Sequence, residues 1–169
     1  MKDELADFRR GKDDFFAHHP HSPLTRSQKQ EFKGLSYFAE APELRLEVEV
    51  EVLPEQEAIE MQTSTGDVQG YRRFGRFHFQ VEGKECTLTI YTSAGGYFLP
   101  FVDALAGSET YPAGRYLEPE PLPDGRFLVD FNLAYNPYCA YNDQWSCPLT
   151  PFENRLKVPI HAGEKTYHA

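Results

Sequence analysis

Hydrophobic and polar residues change their rhythm along the chain. Over residues 3–18, Leu5, Phe8, Phe15 and Phe16 form one apolar stripe at helical spacing, weakened by Gly11. The prolines of "HHPHSP" stop that helix, because proline lacks an amide proton and restrains its predecessor. A second short helix follows. Thr25 and Gln28 make a capping box, and Phe32 with Gly34 marks its end.

From Leu44 the period becomes two. Leu44, Leu46, Val48, Val50 and Val52 alternate with charged residues, the pattern of a strand with one dry and one wet face. A returning strand is predicted over Ala58–Gln62. A hairpin follows, from Tyr71–Val81 to Glu85–Tyr91 across the Gly83 turn. Alternation slips phase at Gly75, which predicts a bulge. Arg115–Glu120 and Arg126–Asn132 read as another hairpin across "PLPDG", and Arg155–His161 as a last strand. The expected fold is mainly β: a single antiparallel β-barrel or sandwich-like domain with an N-terminal helical arm. The expected division is 1–36 for the arm and 37–169 for the β domain, with an irregular aromatic loop at about 133–154.

Composition narrows the partners. Seventeen basic against twenty-six acidic residues give a net charge of −9, which argues against a nucleic-acid backbone or an anionic membrane surface. No run is long and apolar enough to span a bilayer, and "MKDELADFRRGKDDFF" lacks a signal-peptide core, so a cytoplasmic location is expected. Forty per cent hydrophobic and 14% aromatic residues suffice for a core rich in Tyr and Phe.

Chemistry concentrates in "DFNLAYNPYCAYNDQWSCPL", Asp130–Leu149. It holds two of three cysteines, the only tryptophan, three tyrosines and three asparagines. Cys139 and Cys147 lack the second pair that structural zinc prefers. They read as small buried residues, with a disulfide sterically possible and no neighbouring cation in sequence to activate either thiol. Asp130 and Asn132 share one face of the preceding strand. Asp103, Glu109, Arg115 and Tyr116 precede it, and Glu153, Asn154 and Arg155 follow the loop. With Tyr135, Asn136, Cys139 and Tyr141 these residues are the candidate ligand site: arginine to clamp an anion, tyrosines to form flat walls. The same set read as architecture would be a polar network that holds the loop. Phosphate-loop, dinucleotide, serine-elbow and zinc-protease signatures are absent, and the sequence specifies neither a metal nor a cofactor.

The segments "DFNLAYNPYCAY", "CPL" and "ENRLKVPIHAGEK" resemble domain-of-unknown-function family sixteen eighty-four, and the resemblance runs from about Phe8 to Lys165. It implies a single domain of prokaryotic origin and transfers no catalytic residues. The leading expectation is therefore a small-molecule binding protein for an anionic or aromatic metabolite. The alternative is an enzyme at the same place, with Asp130 or Glu109 as acid–base group, His161 as a further proton carrier and Arg115 or Arg155 stabilising negative charge. The third is an assembly module, with the aromatic loop as a homodimer interface.

Overall fold

The alternating run that begins at Leu44 serves two sheets. In the computed structural model, which describes residues 2–167, strand β1 (Arg45–Val48) ends before Glu49, and β2 (Glu51–Val52) begins after Val50. β1 pairs antiparallel with a later strand, Arg45 opposite Asp130 and Val48 opposite Phe127, whereas β2 pairs with a different strand at Arg76 and Gly75. Two residues between them carry the chain from one sheet to the other.

The remaining strands are β3 (Ala58–Gln62), β4 (Val68–Val81), β5 (Lys84–Ser93), β6 (Gly96–Phe101), β7 (Arg115–Leu117), β8 (Glu120–Pro121) and β9 (Phe127–Asp130). One sheet runs β1-β9-β8. The other runs β2-β4-β5-β6-β7, with β3 also on β4. All pairings between named strands are antiparallel. The sheets form a sandwich-like β fold and do not close into a barrel, so of the two expected shapes the barrel is set aside. The predicted strand 115–120 is split like 44–52, β7 lying in one sheet and β8 in the other. β6 was not anticipated, because "YFLPF" does not alternate and carries Pro100.

The bulge at Gly75 is present: register shifts between Arg73 and Gly75 opposite β5. Its cause is a close approach. A Cβ at Gly75 would sit 2.6 Å from Val50 Cγ1 and 2.8 Å from Glu51 O, so β2 can lie against β4 only where a side chain is missing.

The inner faces build one core. Val48, Phe77, Phe79, Leu88, Ile90, Leu99, Phe101, Val129, Phe131 and Ile160 are buried together. β4 shows why periodicity worked there: Phe77, Phe79 and Val81 are buried while His78 and Gln80 are exposed. A second, smaller cluster of Phe16, Leu24 and Tyr141 lies against the helices. These are α1 (Lys2–His18) and α2 (Arg26–Glu31), the latter opened by the Thr25–Gln28 capping box.

The predicted last strand does not form. Residues 154–158 touch 102–104 through Val102 N to Asn154 O, Leu156 N to Val102 O and Ala104 N to Val158 O, a short parallel contact rather than a ladder. Beyond it, the carbonyls of Ile160, Ala162 and Glu164 all accept from Arg115, whose Nη2 reaches Ile160 O at 3.0 Å and whose Nη1 takes Ala162 O and, at 3.0 Å, Glu164 O. In an extended chain alternate residues face the same side, so one guanidinium receives what a neighbouring strand would otherwise bind.

Candidate functional site

The residues of the 133–154 loop and of the turn that leads into it face two ways. Their polar groups point inward to main chain, and several of their rings point outward to the first helix. Inward, Asn132 clamps Ala41 with both halves of its amide, accepting from Ala41 N at 2.8 Å and donating to Ala41 O at 3.0 Å. Asp130 accepts from Asn132 Nδ2 at 2.9 Å and orients that amide, with Arg45 3.8 Å away. Asn154, fully buried, accepts from Thr89 N at 2.9 Å and donates to Thr89 O and Pro100 O at 2.8 Å each. Glu153 accepts from Tyr91, Arg73 and Thr89. Burial pushes its carboxyl up, but those hydrogen bonds outweigh it and hold it below the ordinary range.

Asp103 and Arg115 lie 3.7 Å apart, each side chain only 1% exposed. Asp103 also accepts from Thr110 Oγ1 and Ile160 N, both at 2.8 Å. Burial lowers the Arg115 guanidinium to about 10, with Asp103 opposing the shift. Glu109 stands apart on the surface with its carboxylate 3.9 Å from His161 Nε2, and both side chains are about half exposed. Arg155 is exposed and lies over the Phe152 ring.

Near the helix the anchor is Glu164, a residue that sequence reasoning missed. Its buried carboxylate accepts from Asn136 N at 3.0 Å and Tyr141 Oη at 2.7 Å, and pairs with Lys12 of α1. Asn136 donates onward to Lys165 O at 2.9 Å. The preceding glycine sets this geometry: Gly163 has φ +79°, and a Cβ there would lie 2.8 Å from Phe131 O. A lone acid after the apolar run "VPIHAG" was the only sequence signal for Glu164.

The sequence-predicted residues thus fall into small groups, two of which, Asp103 with Arg115 and Asn136 with Tyr141, meet at Glu164. Asp103 with Arg115, Asp130 with Asn132, Asn136 with Tyr141, and Glu153 with Asn154 each make their own contacts, while Glu109 and Arg155 stand outside. Asp130 and Asn132 border a hollow of about 460 Å³ under Leu5 and Phe8. Tyr116 and Tyr135 border a larger groove of about 790 Å³.

This groove lies between α1 and the loop. Phe8, Tyr116, Tyr135, Tyr138 and Trp145 are its aromatic walls, Asp7, Lys12 and Glu118 its charged residues, and Cys147 and Ser146 line it as well. Tyr138 and Trp145 meet edge to face with centroids 5.1 Å apart. Lys12 Nζ lies 5.0 Å from the centre of the Tyr135 ring. Tyr135 donates to Glu118 at 2.9 Å and Tyr116 donates to Pro148 O. Burial raises both phenols above their ordinary value, aided at Tyr135 by Glu118, so they are neutral donors. Sequence reasoning placed the loop on a cavity wall. It did not foresee Phe8 and Lys12 on the facing side, since a helix stripe does not name the surface it will meet.

Cys86, Cys139 and Cys147 are buried free thiols. Among the described residues no His, Cys, Asp or Glu side chains gather as a metal cluster. None of the described helices is long and apolar enough to cross a membrane.

Fold and groove together define a small antiparallel β protein whose helical arm faces an aromatic loop. Within that class, the family model described as "Protein of unknown function (DUF1684)" matches residues 30–165, and the chain belongs to this family. It is similar to the solution NMR structure of an uncharacterized protein of Haloarcula marismortui, with 37% identity and a TM-score of 0.72 over 96% of this chain and 92% of that one. Comparison with curated proteins finds no match.

Proposed function

We propose that this protein binds a flat, largely apolar small molecule in the groove between α1 and the 133–154 loop, with residues 1–36 acting as an arm over a β domain of 37–169. The carrying observation is the groove of about 790 Å³ walled by Phe8, Tyr116, Tyr135, Tyr138 and Trp145. Its volume is within the range of small-molecule sites, and aromatic walls with a few polar groups are their usual lining. Of an anionic or an aromatic ligand, the geometry favours the aromatic one. Arg115 is committed to main-chain carbonyls, Arg155 lies on Phe152, and the charge of Lys12 is balanced by Glu164. Asp7 is paired with Arg10 as Lys12 is with Glu164, so Glu118 supplies the remaining charge of the lining and a neutral or cationic ring system is the class expected.

Trp145 is the only tryptophan, which makes the test direct. Titration with the neutral dye N-phenyl-1-naphthylamine should change tryptophan emission in a saturable way. Tyr138→Ala should weaken that response, and Phe152→Ser, outside the groove, should not. A response that never saturates, or that both variants leave unchanged, rejects the reading.

A further inference from the structure

Two of the three thiols are close together. Cys139 N lies 3.3 Å from Cys147 Sγ, which keeps Cys139 Cα within about 4.8 Å of that sulfur. Cys147 lines the groove, and Cys139, 9% exposed against 7% for Cys147, has its sulfur 3.8 Å from Tyr111 Oη. The segment between them is built of turns, with the 3₁₀ turn Tyr138–Ala140 followed by a tight turn closed by Trp145 N on Asn142 O. Cys147 N is also held, donating to Ser64 Oγ at 3.1 Å. The third thiol, Cys86, is remote in sequence on β5, with its sulfur 3.6 Å from Lys84 O.

The geometry points to Cys139 and Cys147 as a reversible dithiol–disulfide site whose oxidant is a small hydroperoxide. The thiolate of the pair attacks one peroxide oxygen and breaks the O–O bond. Sulfur takes that oxygen as sulfenic acid, and the other oxygen leaves as water or an alcohol after taking a proton. The second thiol then attacks the sulfenic sulfur, the S–S bond forms, and the hydroxyl leaves as water with that thiol's proton. Two cysteines lose two electrons in total and the peroxide gains them. This assignment is independent of the ligand proposed for the groove.

Electrostatics agree with the geometry. Hydrogen bonds from the Cys147 thiol, Tyr111 and Ser64 outweigh burial and bring the Cys139 thiol down to about 6, while the shared proton pushes Cys147 up. Cys86 moves the other way, raised by burial and by Glu85. Ionisation within the pair, at Cys139, is therefore easier than at Cys86.

The full-length reduced protein treated with a modest excess of hydrogen peroxide, then alkylated and mapped by mass spectrometry, tests the proposal. The expected product is two hydrogen atoms lighter, with Cys139 linked to Cys147, Cys86 alkylated, and full reversal by dithiothreitol. The pair should be consumed about tenfold faster than Cys86. Cys86→Ser should leave the product unchanged. Cys139→Ser and Cys147→Ser should each abolish it, and whichever variant keeps the attacking sulfur should trap a sulfenic acid detectable with dimedone. A melting curve on each variant separates loss of chemistry from loss of fold, and the wild-type peptide map stands without any variant. Alkylation of all three thiols after peroxide, a disulfide that uses Cys86 or a second molecule, or irreversible oxidation of a single cysteine would overturn the assignment.

Discussion

The inner and outer sides of one loop use polar chemistry in opposite ways. Inside, Asn132, Asn154 and Arg115 spend their donors on main-chain atoms of Ala41, Thr89, Pro100 and the 160–164 segment. Each replaces a backbone hydrogen bond that an irregular chain cannot make for itself. Outside, Tyr138 and Trp145 meet edge to face and leave an open groove. Residue type alone therefore does not separate scaffold from site. An arginine with three main-chain partners is scaffold, and a tyrosine whose ring faces a hollow is available.

Four substitutions can break or sharpen this contrast. Arg115→Met should be the most damaging, because it strands the buried Asp103 charge and frees three carbonyls; a loss of about 3–5 kcal/mol is expected in urea unfolding. Asn154→Ala leaves Thr89 N, Thr89 O and Pro100 O without a partner and should cost about 2–3 kcal/mol by the same measurement. If either change proved nearly neutral, the inner side would not be the scaffold described. On the outer side, Tyr138→Ala should cost only about 1 kcal/mol of stability, yet weaken dye binding about tenfold through the lost ring contact.

The smallest effect concerns Asp67, whose Oδ1 accepts from Thr63, from Thr65 at 2.7 Å and from Ser146 at 3.0 Å. These bonds hold its carboxyl at about 2, below the ordinary 3.8. A depressed folded-state value adds stability above the ordinary range, and that contribution is lost as pH falls from about 4 toward 2. Asp67→Asn should therefore flatten the acid limb of a melting-temperature profile over that window. An unchanged acid limb would show that this hydroxyl cluster does not respond to the charge.

Local signals were read correctly and long-range ones were not. The β4–β5 hairpin, the Gly75 bulge and the Thr25–Gln28 capping box depend on residues near each other in sequence. Alternation over Leu44–Val52 shows which side of the chain is dry, but two sheets share one core, so it does not say which sheet each half joins. Arg155–His161 has the side-chain pattern of a strand, yet it makes only a short parallel contact with 102–104 and then gives Ile160 O to a side chain distant in sequence. The Asp103–Arg115 association was legible as an acid and an arginine flanking one loop. The Lys12–Glu164 pair was not, since it spans 152 positions and neither residue stands in a recognisable pattern. Tyr135 and Tyr116 were among the candidate ligand-site residues, and Phe8 and Glu118 were not, because the groove exists only where the helix meets the loop.

Arg115 makes three carbonyls of the C-terminal segment depend on one another. A sheet edge frays one rung at a time, since each rung belongs to a different residue. Here one planar group takes the carbonyls of Ile160, Ala162 and Glu164, so its loss withdraws a partner from all three positions at once and leaves the segment to amide bonds such as Ile160 to Asp103, Glu164 to Ala134 and Lys165 to Ser36. Of the three positions, Glu164 also reaches Lys12 of the first helix through its carboxylate. Opening at one end of the chain is thereby mechanically coupled to the other.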